Sequence, residues 1–371
     1  MNTDIIIRNL FRLLRTGAFG ESEPIEPMSQ WKWGQLYQYG LKHNVLALLN
    51  EGTKLCQDQF FLQIPEELQK VWDDSTNVIE AYYSQHADAI IELYEHYSQL
   101  QLRPMVMGTM QSSSYYHKPS LRSIQAATFF FPFSTQGTKA NEWAIENCNA
   151  ANDNVNNLLR YDYNNAHIEH CSRIATLTNK FLNHSLQNII EQEIRENNPT
   201  FSHIGNYRVE VPSPNITVLT LIVQMAKNII NDGFTFDLLV DLAIFLRNEG
   251  DKVDYLKLQG WIDKLSLKKI SLTVGTMLVD FLNFQPVEIP FIEDQQLRDI
   301  QRLKDELFSF HTDDAPYLLI QQSSKDILHI NNSSDMLWRA RRSARYFSYY
   351  PSESFTNFLT SVARSLSIIE E

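Results

Sequence analysis

Apolar side chains recur at helical spacing through the first hundred residues. Asp4 and Arg8 flank Ile5, Ile6 and Ile7, and Arg12 and Arg15 follow, an amphipathic helical pattern. Trp33, Leu36, Tyr37, Tyr39 and Leu41 form a second stripe, which Val45 to Leu49 extend after a polar break. From Pro65 to Leu102 the positions Leu68, Val71, Trp72, Ile79, Tyr82, Tyr83, Ala89, Ile90, Leu93, Tyr94, Tyr97 and Leu100 repeat at i, i+3, i+4 and i+7. That period predicts a helix pair or one long bent helix. Pro65 suits the first turn, with Glu66 and Glu67 beside the positive helix end.

The period changes after Leu102. Met105, Val106 and Met107 make a short apolar strand, Gly108 follows, and the polar run Thr109 to Ser114 suits a helix start. A turn at Lys118 and Pro119 leads to a second predicted strand, Ala126 to Phe131. Phe129, Phe130 and Phe131 read as its buried centre. Thr138 to Leu159 carries helical spacing against seven asparagines, which favour local side-chain hydrogen bonds over helix. Leu158 to Tyr163 and Ala166 to Ile174 predict a β-hairpin turning on Asn164 and Asn165. Phe181 to Arg195 is helical again and stops at Asn197-Asn198-Pro199.

Beyond Pro212 the pattern is helical. Ser213 and Pro214 form an N-cap and first-turn pair. Helices are expected over Ile216–Asn231, Phe236–Arg247, Tyr255–Leu265 and Leu267–Leu282, with Gly233 and Gly250 as stops. Pro286 and Pro290 flank an extended linker, Ile292 to Phe308 reads as a charged surface helix, and Asp335 to Ile369 as a basic helix and a final amphipathic one. The pattern thus predicts an α+β chain: an N-terminal helical region (1–102), a small mixed-sheet core (103–211), a helical bundle (212–290) and a C-terminal helical extension (291–371).

Composition narrows the function classes. Of 371 residues 43% are hydrophobic, enough for sizeable cores, yet the longest apolar stretch, Ile216 to Ile230, is broken by Gln224, Lys227 and Asn228 and cannot span a bilayer. The N-terminal helix lacks a compact apolar core with a small-residue cleavage site, so no signal peptide is read there. Cys56, Cys148 and Cys171 are too scattered for a disulfide framework or a zinc site, which makes a reducing cytoplasm the expected location. A net charge of −12 disfavours general attraction to nucleic acid.

The order of motifs between Leu102 and Arg247 resembles that of a family of uncharacterised bacterial nucleotidyltransferases. Val106-Met107-Gly108 matches a strand ending in Leu-Lys-Gly, Tyr115-Tyr116 with Pro119 matches a Tyr-Pro segment, and Leu121-Arg122 opens the pattern Leu-Arg-x-x-Gly-Asp-Ile-Asp. Ile168-Glu169-His170-Cys171 is similar to a later strand carrying an acid-x-His motif, with Cys171 at the histidine position, and Pro212 to Arg247 resembles the helices that follow. The resemblance implies a small mixed sheet of nucleotidyltransferase type between helical parts. It also implies paired strand acids that hold metal ions for the triphosphate and the attacking hydroxyl. Those places here hold Ala126 and Thr128; Met107 stands for the family's lysine and Gln125 for its glycine. Glu169 is the one acid kept. An alanine, a threonine hydroxyl and one glutamate do not supply the anionic oxygen that two hard cations require.

The leading expectation is therefore a catalytically inactive member acting as a binding or interaction module, with no metal and no cofactor, and an unknown protein or a small anionic ligand as partner. Two alternatives stand beside it. One is an active magnesium-dependent transferase that joins Glu169 to other acids such as Glu142 or Asp162; the other is a structural subunit of a complex. Gly108 and Thr109, with Lys118 and Arg122 for charge, form a possible anion-binding turn. His167 and His170 lie three apart on a predicted strand, which sends them to opposite faces and argues against a shared metal. Arg339, Arg341, Arg342 and Arg345, interleaved with Trp338, Tyr346, Phe347, Tyr349 and Tyr350, suit either an anionic partner or a helix whose arginines pair with acids of the same chain.

Overall fold

The computed structural model describes residues 3–153, 158–291, 300–309 and 332–369. By compactness the chain forms two units. One comprises Met1–Ile174, Ile190–Thr217 and Val240–Val253; the other comprises Ala175–Ile189, Val218–Leu239 and Asp254–Glu371. Spatial grouping thus does not follow the four sequential stretches, because the chain leaves the first unit and returns to it twice.

The first unit opens with α1 (Thr3–Phe19), α2 (Gln30–Lys42) and α3 (Leu46–Leu55). Leu10, Leu13 and Leu14 of α1 are fully buried. The crossing of α1 and α3 is close because of two glycines: a Cβ at Gly17 would stand 1.9 Å from the Leu48 carbonyl oxygen, and one at Gly52 2.2 Å from that of Leu13. The periodic stretch after Pro65 is one unbroken helix, α4 (Glu66–Gln99); Pro65 occupies its N-cap position, one residue before the predicted first turn. Tyr83, Ala87, Ile90, Leu93 and Tyr97 turn one stripe of α4 into the sheet core, shared with Val106, Phe129, Tyr161 and Ile168. Residue 102 is therefore a change of secondary structure and not a break in packing.

Five strands form the sheet: β1 (Met105–Met107), β2 (Ala127–Phe130), β3 (Ala151–Asp153), β4 (Leu158–Tyr163) and β5 (Ala166–Cys171), in the order β1-β2-β5-β4-β3. Only β2 and β5 run parallel; the remaining pairs are antiparallel. The three strands expected around the site are neighbours, and the Asn164-Asn165 turn closes the predicted hairpin with φ of 49° and 64°. Asparagine tolerates this left-handed region better than other residues with a side chain. The helix read over Thr138–Leu159 is shifted: α6 runs Ser134–Cys148, Asn149 (φ 53°) ends it in left-handed conformation, and β3 follows. The asparagines that weakened the helical pattern mark that break; residues 154–157 of the reading lie outside the described residues. A hairpin absent from the sequence reading, β6 (Thr200–Ile204) and β7 (Tyr207–Val211), turns at Gly205.

In the second unit the helices fall close to expectation. Three helices, α7 (Lys180–Glu196), α8 (Pro214–Lys227) and α9 (Phe236–Glu249), have residues in both units. The π-helical turn Asn228–Asp232 prolongs α8, and α10 (Tyr255–Lys264) and α11 (Lys268–Leu282) follow. The Pro286 linker is a 3-10 turn closed by a capping box between Gln285 and Glu288. Of the helix predicted over Ile292–Phe308, residues 292–299 lie outside the described residues and the rest forms α12 (Ile300–Leu307), whose Leu303 and Leu307 are buried. The last helices are α13 (Asn332–Arg345) and α14 (Pro351–Ile369). Among the described residues no helix is long and apolar enough to cross a membrane.

Candidate functional site

Strand alternation sends successive side chains to opposite faces of the sheet. On the inner face Ala127, Phe129, Ile168, His170, Leu159 and Tyr161 are buried. The outer face carries Thr128 of β2, His167 and Glu169 of β5, and Arg160 and Asp162 of β4. Register places Thr128 between Met107 and Glu169, and Glu169 between Thr128 and Arg160. Gly108 ends β1 at a φ of +65° and starts the short helix α5 (Gly108–Ser113); a Cβ there would lie 3.6 Å from Thr128 Oγ1. Gly108 thus lies beside Thr128, whose register partner on β5 is Glu169. Ala126 immediately precedes β2 and is half-buried, Thr109 is half-buried in α5, Met107 is buried, and Gln125 is exposed.

The retained acid has a partner inside the sheet. Arg160 Nε donates to Glu169 Oε1 at 2.8 Å, and Arg160 Nη1 to Asp153 Oδ2 at 2.7 Å. Sequence reading missed this arginine, because its relation to Glu169 depends on hairpin register and not on any motif. The acids proposed to complete an active site do not gather round it. Asp162 pairs with His167 Nδ1, and Glu142 is an exposed residue of α6, the helix whose Asn141 meets the inner face of the sheet through His170. Cys171, at the family's histidine position, donates to the Phe129 carbonyl at 3.4 Å, and burial pushes its thiol up to about 12.

Neither cation of the expected anion-binding turn carries unmatched charge. Lys118 Nζ sits 2.7 Å from Glu80 and 3.5 Å from Glu51, contacts that raise its pKa, the Glu80 bond foremost. Arg122 is buried, and its Nε and Nη2 reach the two carboxylate oxygens of Asp241 on α9 at 2.9 Å each. Tyr116 also donates to Asp241, at 2.6 Å. The motif arginine is therefore an anchor between the segment before β2 and α9, a fixed bidentate geometry that guanidinium suits.

The two histidines of β5 diverge, as alternation requires. The His167 side chain meets Asp162 on the outer face, while its backbone N–H donates to His86 Nε2 at 3.1 Å, which leaves His86 Nδ1 to donate to the Tyr82 carbonyl at 2.8 Å. On the inner face His170 Nε2 lies 2.9 Å from the Tyr161 hydroxyl and 3.1 Å from that of Tyr97, and its Nδ1 lies 2.8 Å from Asn141 Oδ1. The asparagine oxygen accepts from Nδ1–H, so Nε2 is the acceptor and the ring is neutral. Burial lowers the His170 pKa to about 3 and raises both phenols.

In the second unit the basic cluster of α13 pairs within the chain. Arg342 is buried, 2.5 Å from Glu306, and lies 5.3 Å from the Trp338 ring and 4.9 Å from that of Tyr346. Arg339 bridges to Asp232 at 3.0 Å. The packing alternative, aromatics inward and arginines against acids, describes these two residues.

A site for hard divalent cations does not fit this outer face. Ala126 supplies no donor, Thr128 supplies a neutral hydroxyl, and Glu169 Oε1 is bonded to a guanidinium. Among the described residues no group of three or more histidine, cysteine, aspartate or glutamate side chains is placed to hold a metal ion.

No curated protein matches the chain. A crystal structure of an antigenic nucleotidyltransferase-like protein from Paracoccidioides brasiliensis aligns at 10% identity and a TM-score of 0.35, over 54% of this chain and 93% of that one. The family profile described as uncharacterised nucleotidyltransferase matches residues 29–283, which take in the N-terminal helices from α2 onward, the whole sheet and the helices to α11. That match covers more than half of the sequence, and the chain belongs to this uncharacterised nucleotidyltransferase family.

Proposed function

We propose that the protein is a catalytically inactive nucleotidyltransferase-fold protein of the cytoplasm, serving as a binding or interaction module for another protein or a small anionic ligand. One observation carries this reading: at the three positions where the family's strands would hold metal, Ala126 and Thr128 bring no carboxylate and Glu169 is engaged by Arg160. Without metals, the charge of a triphosphate and of its transition state lacks its main stabilising partner, a loss of several kcal/mol or about a thousandfold in rate.

The test is transfer of label from each of the four common α-labelled nucleoside triphosphates to protein, sugar and nucleic-acid acceptors, with magnesium or manganese present. The expected result is no labelling above a no-protein control. Labelling that Glu169→Ala abolishes would overturn the reading and establish an active enzyme with a different acid set.

A further inference from the structure

One row of residues crosses the outer face of the sheet: Thr128, Glu169, Arg160 and Ala151 are direct lateral neighbours on β2, β5, β4 and β3. In the family that the chain resembles, metal ions would stand over the β2 and β5 end of this row. In this chain the positive charge beside Glu169 comes from the β4 end. Arg160 reaches one carboxylate on each side, Glu169 at 2.8 Å and Asp153 at 2.7 Å, and so ties three adjacent strands with one guanidinium. The two acid side chains are about four-fifths covered, at 21% and 19% exposure. Arg160 itself is 42% exposed, so water reaches both contacts from the guanidinium's side while the acids lie against the sheet.

Resting on the inactive reading above, we infer that Arg160 is a resident cation standing in for the metal at the surviving carboxylate. It occupies Glu169 Oε1, holds the remnant site in its folded geometry and closes it to divalent ions. The chemistry favours a permanent arrangement. A guanidinium stays protonated at any pH the protein meets, and unlike a bound ion it cannot be chelated or diluted away. Its Nε–H takes a lone pair of Glu169 Oε1 that a metal would need, and its Nη1–H one of Asp153 Oδ2. A cation entering here would have to dehydrate and also displace a covalently tethered rival, and from β2 it would gain only the neutral hydroxyl of Thr128.

The account predicts which residue keeps metal out. Manganese binding is followed by the loss of its free-ion electron paramagnetic resonance signal, and melting temperature is measured with and without ~10 mM manganese, a concentration that saturates millimolar sites. The wild type is expected to show no binding that depends on Glu169 and no manganese-dependent shift. Arg160→Gln, which keeps size and donors but removes charge, and Arg160→Ala should each gain a Glu169-dependent site, at least tenfold tighter than any wild-type binding. Arg160→Lys, which keeps the charge, should stay closed. Adding Glu169→Gln to Arg160→Gln should erase the gain. If both neutral variants fold and neither gains such a site, or if the gain survives Glu169→Gln, the resident-cation inference is wrong while the inactive reading stands. Stoichiometric, Glu169-dependent binding in the wild type would overturn both.

Discussion

His170 is the residue whose environment departs furthest from what its position in a motif suggests. The sequence offered it beside Glu169 and Cys171, yet alternation turns it into the core, where two phenols and Asn141 satisfy both ring nitrogens. Its pKa, lowered to about 3 by burial, makes acid stability a test of this placement. Below the unfolded value of about 6.5 the unfolded chain takes up a proton that the folded chain refuses. The contribution is complete above pH 6.5 and is lost as pH falls toward 3. Between pH 7 and 5 the loss is about 2 kcal/mol from this one group. His86, also lowered by burial, adds in the same direction. Urea unfolding at pH 7, 6 and 5 should show His170→Gln less stable than wild type at pH 7 but with a shallower decline toward pH 5. Parallel declines would place His170 in contact with water and contradict the buried network.

At the scale of elements, most of the sheet was legible. Met105–Met107 is a strand because three apolar residues precede a glycine that can take positive φ, and the Asn164-Asn165 pair announced its hairpin through the same conformational preference. What stayed hidden were the features that depend on partners distant in sequence. Arg122 reads as an available cation in its motif, but Asp241, more than a hundred residues later, claims it. Arg160 carries no motif and gains meaning only from lying opposite Glu169. The β6–β7 hairpin escaped notice because Phe201, Arg208 and Glu210 blur its alternation; Glu210 is buried, held by Arg103 through Nε at 2.6 Å. The Arg122–Asp241 pair makes a direct test of element docking. Arg122→Ala should cost about 3–5 kcal/mol in chemical unfolding, because it leaves a buried carboxylate without its counter-charge. Arg122→Met combined with Asp241→Leu should recover much of that loss. A cost below about 1 kcal/mol for the single variant, as an exposed pair gives, would mean that α9 is not anchored there.

At the scale of the whole molecule, the hydrophobic pattern announced an α+β architecture and the order of motifs a resemblance to a family, and the family profile bears out the family. The division into compact units was not legible, since α7, α8 and α9 each contribute to both units and a sequence pattern records a helix without recording its company. The negative net charge is also expressed locally: Lys118, Arg122, Arg160, Arg339 and Arg342 all meet carboxylates, so their cations are matched within the chain. The proposed inactivity rests on the outer face of the sheet, where Arg160 meets both Glu169 and Asp153. Diffraction from crystals soaked with manganese and a non-hydrolysable nucleoside triphosphate tests it most directly, using the anomalous signal of the metal beside Thr128 and Glu169. The account predicts no anomalous peak there, with Arg160 still bonded to Glu169. A manganese peak bridging Glu169 and the triphosphate would contradict it.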